Sequence, residues 1–321
     1  MQKRKLGWTD LELTAMGMGS YALGGADWAF GWGAQDDADS IATYQRAVEL
    51  GVNWIDTAAA YGLGHAEEVL GRALKGMSSK PYVATKCGLV WDQQGELGKA
   101  LTKETVRAEV EDSLRRLGVD VIDLYQVHWP PDPDDSLEEG WAAMADLVKE
   151  GKVRYIGVSN FTVDQMKRCH AIHPIASLQP PYSLLMRGAE ADLLGFCTSN
   201  NIGVVTYSPM QEGLLSGKMT KERADNLSAD DHRRDIPFFQ EPQLTHVLAL
   251  VDGLREIAEK SGRTMAQLAI AWVLRRPEIT AAIVGARRPD QIEGTVPAAD
   301  WNLSESEMAA IDALLARYEA A

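Results

Sequence analysis

The chain lacks any apolar run approaching the ~20 residues that a membrane-spanning helix needs, so no membrane partner is expected. It opens Met1-Gln2-Lys3-Arg4-Lys5-Leu6-Gly7, basic but with no apolar stretch behind, which argues against a secretory signal. Cysteine is scarce. Cys87, Cys169 and Cys197 form no even framework and show no metal-ligand spacing. That points to a reducing, cytoplasmic setting. His65, His170, His173, His232 and His246 make no coherent metal set, and no metal is expected. Positive charge is also short, with 32 Lys and Arg against 46 Asp and Glu and a formal net charge of −14. A nucleic-acid partner is therefore not expected, while a local basic pocket for a phosphate stays open. What the chain does have is bulk. Its 321 residues, 45% hydrophobic and 24% charged, suffice to bury an enzyme-sized core.

Short apolar runs alternate with amphipathic stretches along the whole length. Strands are predicted over 14–19, 52–56, 82–86, 121–128, 153–159, 175–179, 203–207 and 281–284. Helices are predicted over 38–50, 65–74, 103–117, 136–150, 163–170, 189–200, 244–260, 264–276 and 304–320. Gly51, Gly76, Gly118 and Gly151 stand at helix ends, and Thr102 is an N-cap. A hairpin over 4–13 precedes them, turning at Gly7-Trp8-Thr9-Asp10. Between 208 and 242 the pattern is irregular. Eight strands alternating with helices predict a (β/α)8 TIM barrel with an N-terminal β-hairpin and additional C-terminal helices. The runner-up is an open doubly wound sheet. No low-complexity linker divides the chain, so 1–321 is read as a single barrel domain.

Three successive strand runs finish on ionisable residues: Asp56 with Tyr61 just beyond, then Lys86, then His128. In a parallel barrel the strand C-termini share one face, and chemistry collects there. A phenol titrates near ~10, high for a general acid at neutral pH, and a neighbouring ammonium would lower that value. Asp56 pairs with Lys86 and holds it, and His128 hydrogen-bonds a carbonyl oxygen or helps relay the proton. Such a set suits protonation of an alkoxide formed as hydride reaches a carbonyl carbon. It does not suit nucleophilic hydrolysis, since no Ser or Cys accompanies it.

These residues lie in four spaced motifs: Gly51-Val-Asn-Trp-Ile-Asp-Thr-Ala-Ala-Ala-Tyr-Gly62, Val83-Ala-Thr-Lys86, Asp123-Leu-Tyr-Gln-Val-His128 and Gly151-Lys-Val-Arg-Tyr-Ile-Gly-Val-Ser-Asn160. Across almost the whole chain the sequence resembles the aldo-keto reductases, in particular the bacterial and potassium-channel-β-like branches. The resemblance implies a barrel that binds a nicotinamide cofactor without a Rossmann domain. It implies a catalytic tetrad of Asp56, Tyr61, Lys86 and His128. Hydride would come from nicotinamide C4 and a proton from Tyr61, reducing an aldehyde or ketone to an alcohol, reversibly.

The resemblance also carries Ser159, Asn160 and Gln179 to the nicotinamide carboxamide, which needs both donor and acceptor. An alternative for Asn160 is a cap on the helix at 163. Tyr207 matches the aromatic under the nicotinamide ring, and Asp56, Ser20 and Tyr21 fall beside the cofactor ribose and pocket. The run Ser208-Pro209-Met210-Gln211-Glu212-Gly213-Leu214-Leu215-Ser216-Gly217-Lys218 matches the loop over the pyrophosphate. Its glycine spacing is wrong for a P-loop, and Met219 replaces the Ser or Thr. Gly285, Arg287 and Arg288 match the segment that recognises an adenosine 2′-phosphate, and guanidinium suits phosphate. Gln291 matches an adenine-side glutamine. Gly294 and Thr295 depart from the acid–amide pair that often follows. NADPH (NADP+) is thus the expected cofactor, with NADH possible.

For the substrate, a small carbonyl or alcohol, the aromatic residues Trp28 and Trp32, with Tyr21, Trp91, His128 and Trp129, predict an apolar mouth. Asp27 offers a hydroxyl-binding carboxylate. The segment 220–242, with Asp230-Asp-His-Arg-Arg-Asp235, reads either as a lid over bound cofactor or as plain surface. Two other classes compete: a cofactor-binding regulatory subunit of the channel-β type, and another barrel chemistry such as an isomerase or lyase. A purely regulatory role would not require the complete tetrad.

Overall fold

The predicted strand runs pair in a closed ring. The computed structural model describes residues 1–26 and 28–320. An antiparallel hairpin comes first, β1 (Lys3–Lys5) against β2 (Glu12–Thr14). Then follow β3 (Met16–Gly19), β4 (Trp54–Asp56) and β5 (Tyr82–Cys87). A second hairpin, β6 (Leu89–Trp91) and β7 (Leu97–Lys99), precedes β8 (Ile122–Val127) and β9 (Val153–Ser159). The last three are β10 (Ser177–Gln179), β11 (Gly203–Thr206) and β12 (Ala281–Gly285). Eight of them close as β10-β11-β12-β3-β4-β5-β8-β9, every pair parallel.

The helices are α1 (Asp37–Glu49), α2 (His65–Lys75), α3 (Lys103–Leu117), α4 (Leu137–Lys149), α5 (Val163–His170) and α6 (Leu193–Ser199). Beyond them come α7 (Lys221–Asp225), α8 (Gln243–Lys260), α9 (Met265–Leu274), α10 (Pro289–Thr295) and α11 (Glu305–Glu319). Local chemistry sets several ends. Thr102 caps α3 in a capping box, and Gly118 ends it at φ 65°. Thr162, not Asn160, caps α5, so the capping alternative for Asn160 does not hold. No helix among the described residues is long and apolar enough to cross a membrane.

Some predicted boundaries shift. The run 189–200 divides into a 3₁₀ turn, Gly188–Glu190, and α6. Within the irregular stretch 208–242 the chain forms α7 and short 3₁₀ turns. The β6–β7 hairpin was not anticipated, because three-residue strands carry no readable period. It reverses through a turn in which Asp92 Oδ1 accepts from Gln94 N and Glu96 N at 2.9 and 3.0 Å.

Inside the barrel, Trp54, Leu124, Val205 and Ile283 pack with Leu6, Leu11 and Leu13 from the N-terminal hairpin. The hairpin thus closes the end of the barrel opposite the strand C-termini. Trp54 donates Nε1–H to Thr14 O at 3.0 Å. Gly17 faces this indole so closely that a Cβ there would lie 2.1 Å from Trp54 Cε2. The Trp54 side chain is fully buried and flat, with nowhere to yield. Gly17→Ala is therefore expected to cost about 1–3 kcal/mol of unfolding free energy as overpacking. A urea titration followed by tryptophan fluorescence reads the effect, and an unchanged midpoint would show that Trp54 repacks freely.

Candidate active site

Parallel pairing brings Asp56, Tyr61, Lys86 and His128 to one mouth of the barrel. Asp56 sits opposite Ala84 in the β4–β5 register. Lys86 is two residues further along β5, so it points to the same inner face. Its ammonium donates to Asp56 Oδ1 at 2.6 Å, to Thr57 O at 2.8 Å and to the Tyr61 phenol oxygen at 3.3 Å. All three of its donors are used, as burial demands. Asp56 is held from other strands too. Gln179 Nε2 donates to its second carboxylate oxygen at 2.9 Å, and Ser20 Oγ donates to its backbone carbonyl at 2.8 Å. His128 follows β8 directly, with its backbone N–H on Cys87 O at 2.8 Å, and its ring stands edge-on to Tyr61 at 5.5 Å.

Electrostatics corrects one expectation. Burial, and then the Asp56 carboxylate, hold the Tyr61 phenol well above its ordinary range. The nearby ammonium does not bring it down, because Asp56 neutralises that ammonium at shorter range. Tyr61 therefore rests protonated. Burial lowers Lys86, while Asp56 and Glu67 act to hold its proton. Burial and the Lys86 charge keep His128 well below its usual value, so its imidazole is neutral at neutral pH.

A cavity of about 1130 Å³ opens over this cluster. Asn160, at φ 62°, stands in a left-handed conformation that asparagine tolerates better than most residues. Its Nδ2 donates to His128 O at 3.0 Å and to Ser159 Oγ at 3.1 Å, and Tyr207 O–H donates to its Oδ1 at 2.9 Å. Ser159 Oγ donates to Gln179 O at 2.8 Å. Ser20, Tyr21, Tyr207, Ser208, Pro209 and Met210 line the same cavity, as do Gly213, Ser216 and Lys218. Leu214 does not. It is fully buried in the apolar core, because the 3₁₀ turns of Gln211–Ser216 aim it away from the opening.

At the far end lie Gly285, Arg287, Arg288 and Gln291. A Cβ on Gly285 would meet nothing nearer than Gly19 O at 3.9 Å, and one on Gly213 nothing nearer than Arg233 Nη1 at 3.8 Å. Arg287 is not a free charge. Its guanidinium donates to Gln35 Oε1 at 2.6 Å, to Trp32 O at 3.0 Å and to Ala34 O, while Gln291 Oε1 accepts its backbone N–H. Arg287 thus pins the 32–35 loop. Arg288 is exposed and, among the described residues, pairs only with Asp290, at 3.0 and 3.3 Å.

The other end of the cavity is aromatic. Tyr21 meets Tyr61 edge-on at 5.1 Å, Trp28 at 5.5 Å and Trp32 at 6.0 Å. Trp129 is 39% exposed, with Lys99 Nζ 5.4 Å from its ring centroid. Trp91 is not part of this mouth. It packs against the Arg116 guanidinium at 5.4 Å and stands outside the cavity lining. Asp27 lies outside the described residues. The segment 220–242 packs on the first loop: Trp32 bridges Asp231, His232 N–H reaches Gly31 O, and Tyr21 O–H and His232 Nε2 share a hydrogen bond of 3.2 Å. Arg233 stacks on Trp32 at 4.3 Å and lines the cavity. Its role was signalled only by the charged run 230–235. Leu89, Leu97 and Lys99, also in the lining, had no signal at all.

Comparison with known proteins gives the same picture over the whole chain. Residues 15–316 match the profile described as the Aldo/keto reductase family. Aldo-keto reductase YhdN of Bacillus subtilis (strain 168) is 38% identical over 310 residues, covering 96% of this chain and 91% of the relative. NADH-specific methylglyoxal reductase of Escherichia coli (strain K12) is 34% identical over 320 residues, covering 96% of each. Among solved structures, the glycerol dehydrogenase of Gluconobacter oxydans aligns with a TM-score of 0.89 at 38% identity, covering 98% of this chain and 95% of that one. The chain belongs to the aldo/keto reductase family, and it is an oxidoreductase that reduces carbonyl groups with a nicotinamide cofactor.

Proposed function

We propose that Tyr61 is the proton donor in this reduction, and that Lys86, Asp56 and His128 make it one. The observation that carries the proposal is the 3.3 Å contact from Lys86 Nζ to the Tyr61 phenol oxygen inside a buried cluster. The cavity residues fit a nicotinamide dinucleotide. Gln179 spends its amide N–H on Asp56, and its carbonyl oxygen, in the cavity wall, takes no hydrogen bond among the described residues. That oxygen is an acceptor for a carboxamide N–H, beside Ser159 and Asn160. Gly213 and Gly285 leave backbone open where phosphates and ribose need close approach. Tyr207 would offer its ring to the nicotinamide, and the segment 208–218, which lines the cavity, would hold the pyrophosphate.

A nicotinamide held there would supply hydride to the carbonyl carbon. Neutral His128 orients the carbonyl oxygen by a hydrogen bond. Tyr61 then gives its proton to that oxygen. An alkoxide is a far stronger base than a phenolate, so the transfer is favourable even from a phenol held above its usual pKa. Lys86 stabilises the phenolate that remains, and Asp56 keeps the ammonium in place. Reversal of the same steps oxidises an alcohol. Tyr21, Trp28 and Trp129 form apolar walls for a small aldehyde or ketone. The relatives named for methylglyoxal reduction and glycerol oxidation support a small oxygenated substrate. We read 1–321 as one barrel domain, and the three buried free cysteines support a reducing, cytoplasmic setting.

For the coenzyme, we propose a preference for NADPH that rests on Arg288, the exposed guanidinium at the far end, since Arg287 is engaged by the 32–35 loop. Asp36 and Asp39 line the same end and oppose it, and one relative is named NADH-specific. Arg288→Ala is expected to lower kcat/KM with NADPH by roughly tenfold and with NADH by less than about twofold. Wild-type efficiency equal or better with NADH overturns the preference. Tyr61→Phe is expected to lower kcat by about 10²–10⁴-fold while coenzyme still quenches tryptophan fluorescence. In the wild type, the reduction rate should stay level through neutral pH and fall on the alkaline side, where Lys86, already lowered by burial, loses its proton. A panel of carbonyls and alcohols with both coenzymes tests these statements, and near-normal turnover by Tyr61→Phe sinks the mechanism.

A further inference from the structure

We propose that Glu67 is a positioning residue for the proton donor: its buried carboxylate clamps the strand of Lys86 to the helix that follows Tyr61. The proposal rests on the reading of Tyr61 and Lys86 given above.

Glu67 lies in the first turn of α2, and none of it is exposed. Its Oε1 accepts from Thr85 Oγ1 at 2.7 Å, and its Oε2 accepts from Arg116 Nη1 at 3.0 Å. Thr85 directly precedes Lys86 in β5. Neighbouring side chains on a strand point to opposite faces, so Thr85 turns out toward the helices while Lys86 turns in. On the other side, Ala66 N–H donates to Tyr61 O at 3.2 Å, tying the start of α2 to the residue that carries the phenol. One side chain therefore connects the two backbone segments whose side chains meet at 3.3 Å in the site.

A neutral acceptor would suffice to hold a threonine hydroxyl. A buried carboxylate is costly unless it is paired, and the fold makes room for its partner. Gly64 precedes α2, and a Cβ there would lie 2.7 Å from Arg116 Nε. The charge has a second use. On its own face of the sheet Lys86 meets Asp56 on β4, Tyr61 before α2 and His128 after β8, and Glu67 on α2 stands behind the strand. Arg116 and Glu109 lie on α3, where the Glu109 carboxylate accepts the Gly88 N–H at 3.0 and 3.1 Å. Beyond Asp56, Glu67 is the carboxylate that favours the Lys86 proton against burial.

Glu67→Gln keeps an acceptor for Thr85 and removes the charge. We expect kcat for carbonyl reduction to fall roughly tenfold. The alkaline limb of the rate should move to lower pH, and coenzyme affinity by fluorescence quenching should stay within about twofold. A folded Glu67→Gln enzyme with wild-type kcat and an unmoved limb overturns the proposal. Thr85→Val breaks the clamp and leaves the charge. It should lower kcat with the limb unmoved, Thr85→Ser should restore kcat, and wild-type kcat in Thr85→Val likewise overturns the proposal. These two variants carry the test if Glu67→Gln does not fold. Failure of the underlying reading shows separately, as turnover retained by Tyr61→Phe.

Discussion

A buried ammonium–carboxylate pair governs this molecule. Lys86 and Asp56 are 1% and 2% exposed and meet at 2.6 Å. Taking two such charges out of water costs several kcal/mol each, and only tight geometry with every remaining group bonded recovers it. The surroundings meet that condition in detail. Thr57 and Tyr61 take the other Lys86 donors, Gln179 reaches across to the second Asp56 oxygen, and Ser20 fixes the Asp56 backbone. These partners come from the ends of separate barrel strands or the turns just beyond them. A one-residue slip of β4 against β5 would turn Lys86 away from Asp56 and strand both charges. The pair therefore ties strand register to chemistry.

The barrel divides its labour around that constraint. At the closed end, the N-terminal hairpin seals the interior with Leu6, Leu11 and Leu13 against Trp54, and Gly17 exists to let the indole lie flat. That end contributes packing, and its charges are spent on one another: Arg154 bridges Asp10 of the hairpin turn at 2.8 Å and Asp123 at 2.7 Å. At the open end the loops are long and build a wall from side chains distant in sequence. Arg287 reaches back to the loop at 32–35, Asp231 and His232 join Trp32 and Gly31, and Arg233 covers the indole of Trp32. The aromatic end and the arginine end of the cavity are thus held by one set of contacts, so a substitution at Arg287 disturbs the 32–35 loop as well.

The sequence made the barrel legible because strand and helix periods alternate cleanly, and the tetrad legible because its members sit at consecutive strand ends. Most of what stayed hidden depends on contacts between segments far apart, or on a local turn. Arg287 reads as a free phosphate-binding cation until its three donors are seen on loop carbonyls and Gln35. Trp91 reads as part of an aromatic mouth until the hairpin places it against Arg116, and Leu214 reads as a loop residue until the turn buries it. Glu67 falls on the buried face of an amphipathic helix, where a carboxylate looks like noise in the pattern. No spacing rule connects it to Thr85 or to Arg116, 49 positions away. The direction of the Tyr61 shift was hidden for the same reason, since it follows first from burial and then from the Asp56 carboxylate.

That direction clarifies how the cluster works. If the ammonium simply lowered the phenol, Tyr61 would lose its proton early and the donor would be spent before substrate arrived. With Asp56 answering Lys86 at shorter range, the resting phenol feels little net positive charge and keeps its proton in a desolvated site. On the proposed mechanism, the field of Lys86 becomes valuable only when negative charge develops on the phenol oxygen 3.3 Å away, as the proton leaves. The stabilisation is then stronger in the transition state than in the ground state, which is the condition for accelerating the chemical step and not merely tightening binding. The same burial that makes the ion pair expensive makes its effect on that oxygen large, because little water remains to screen it.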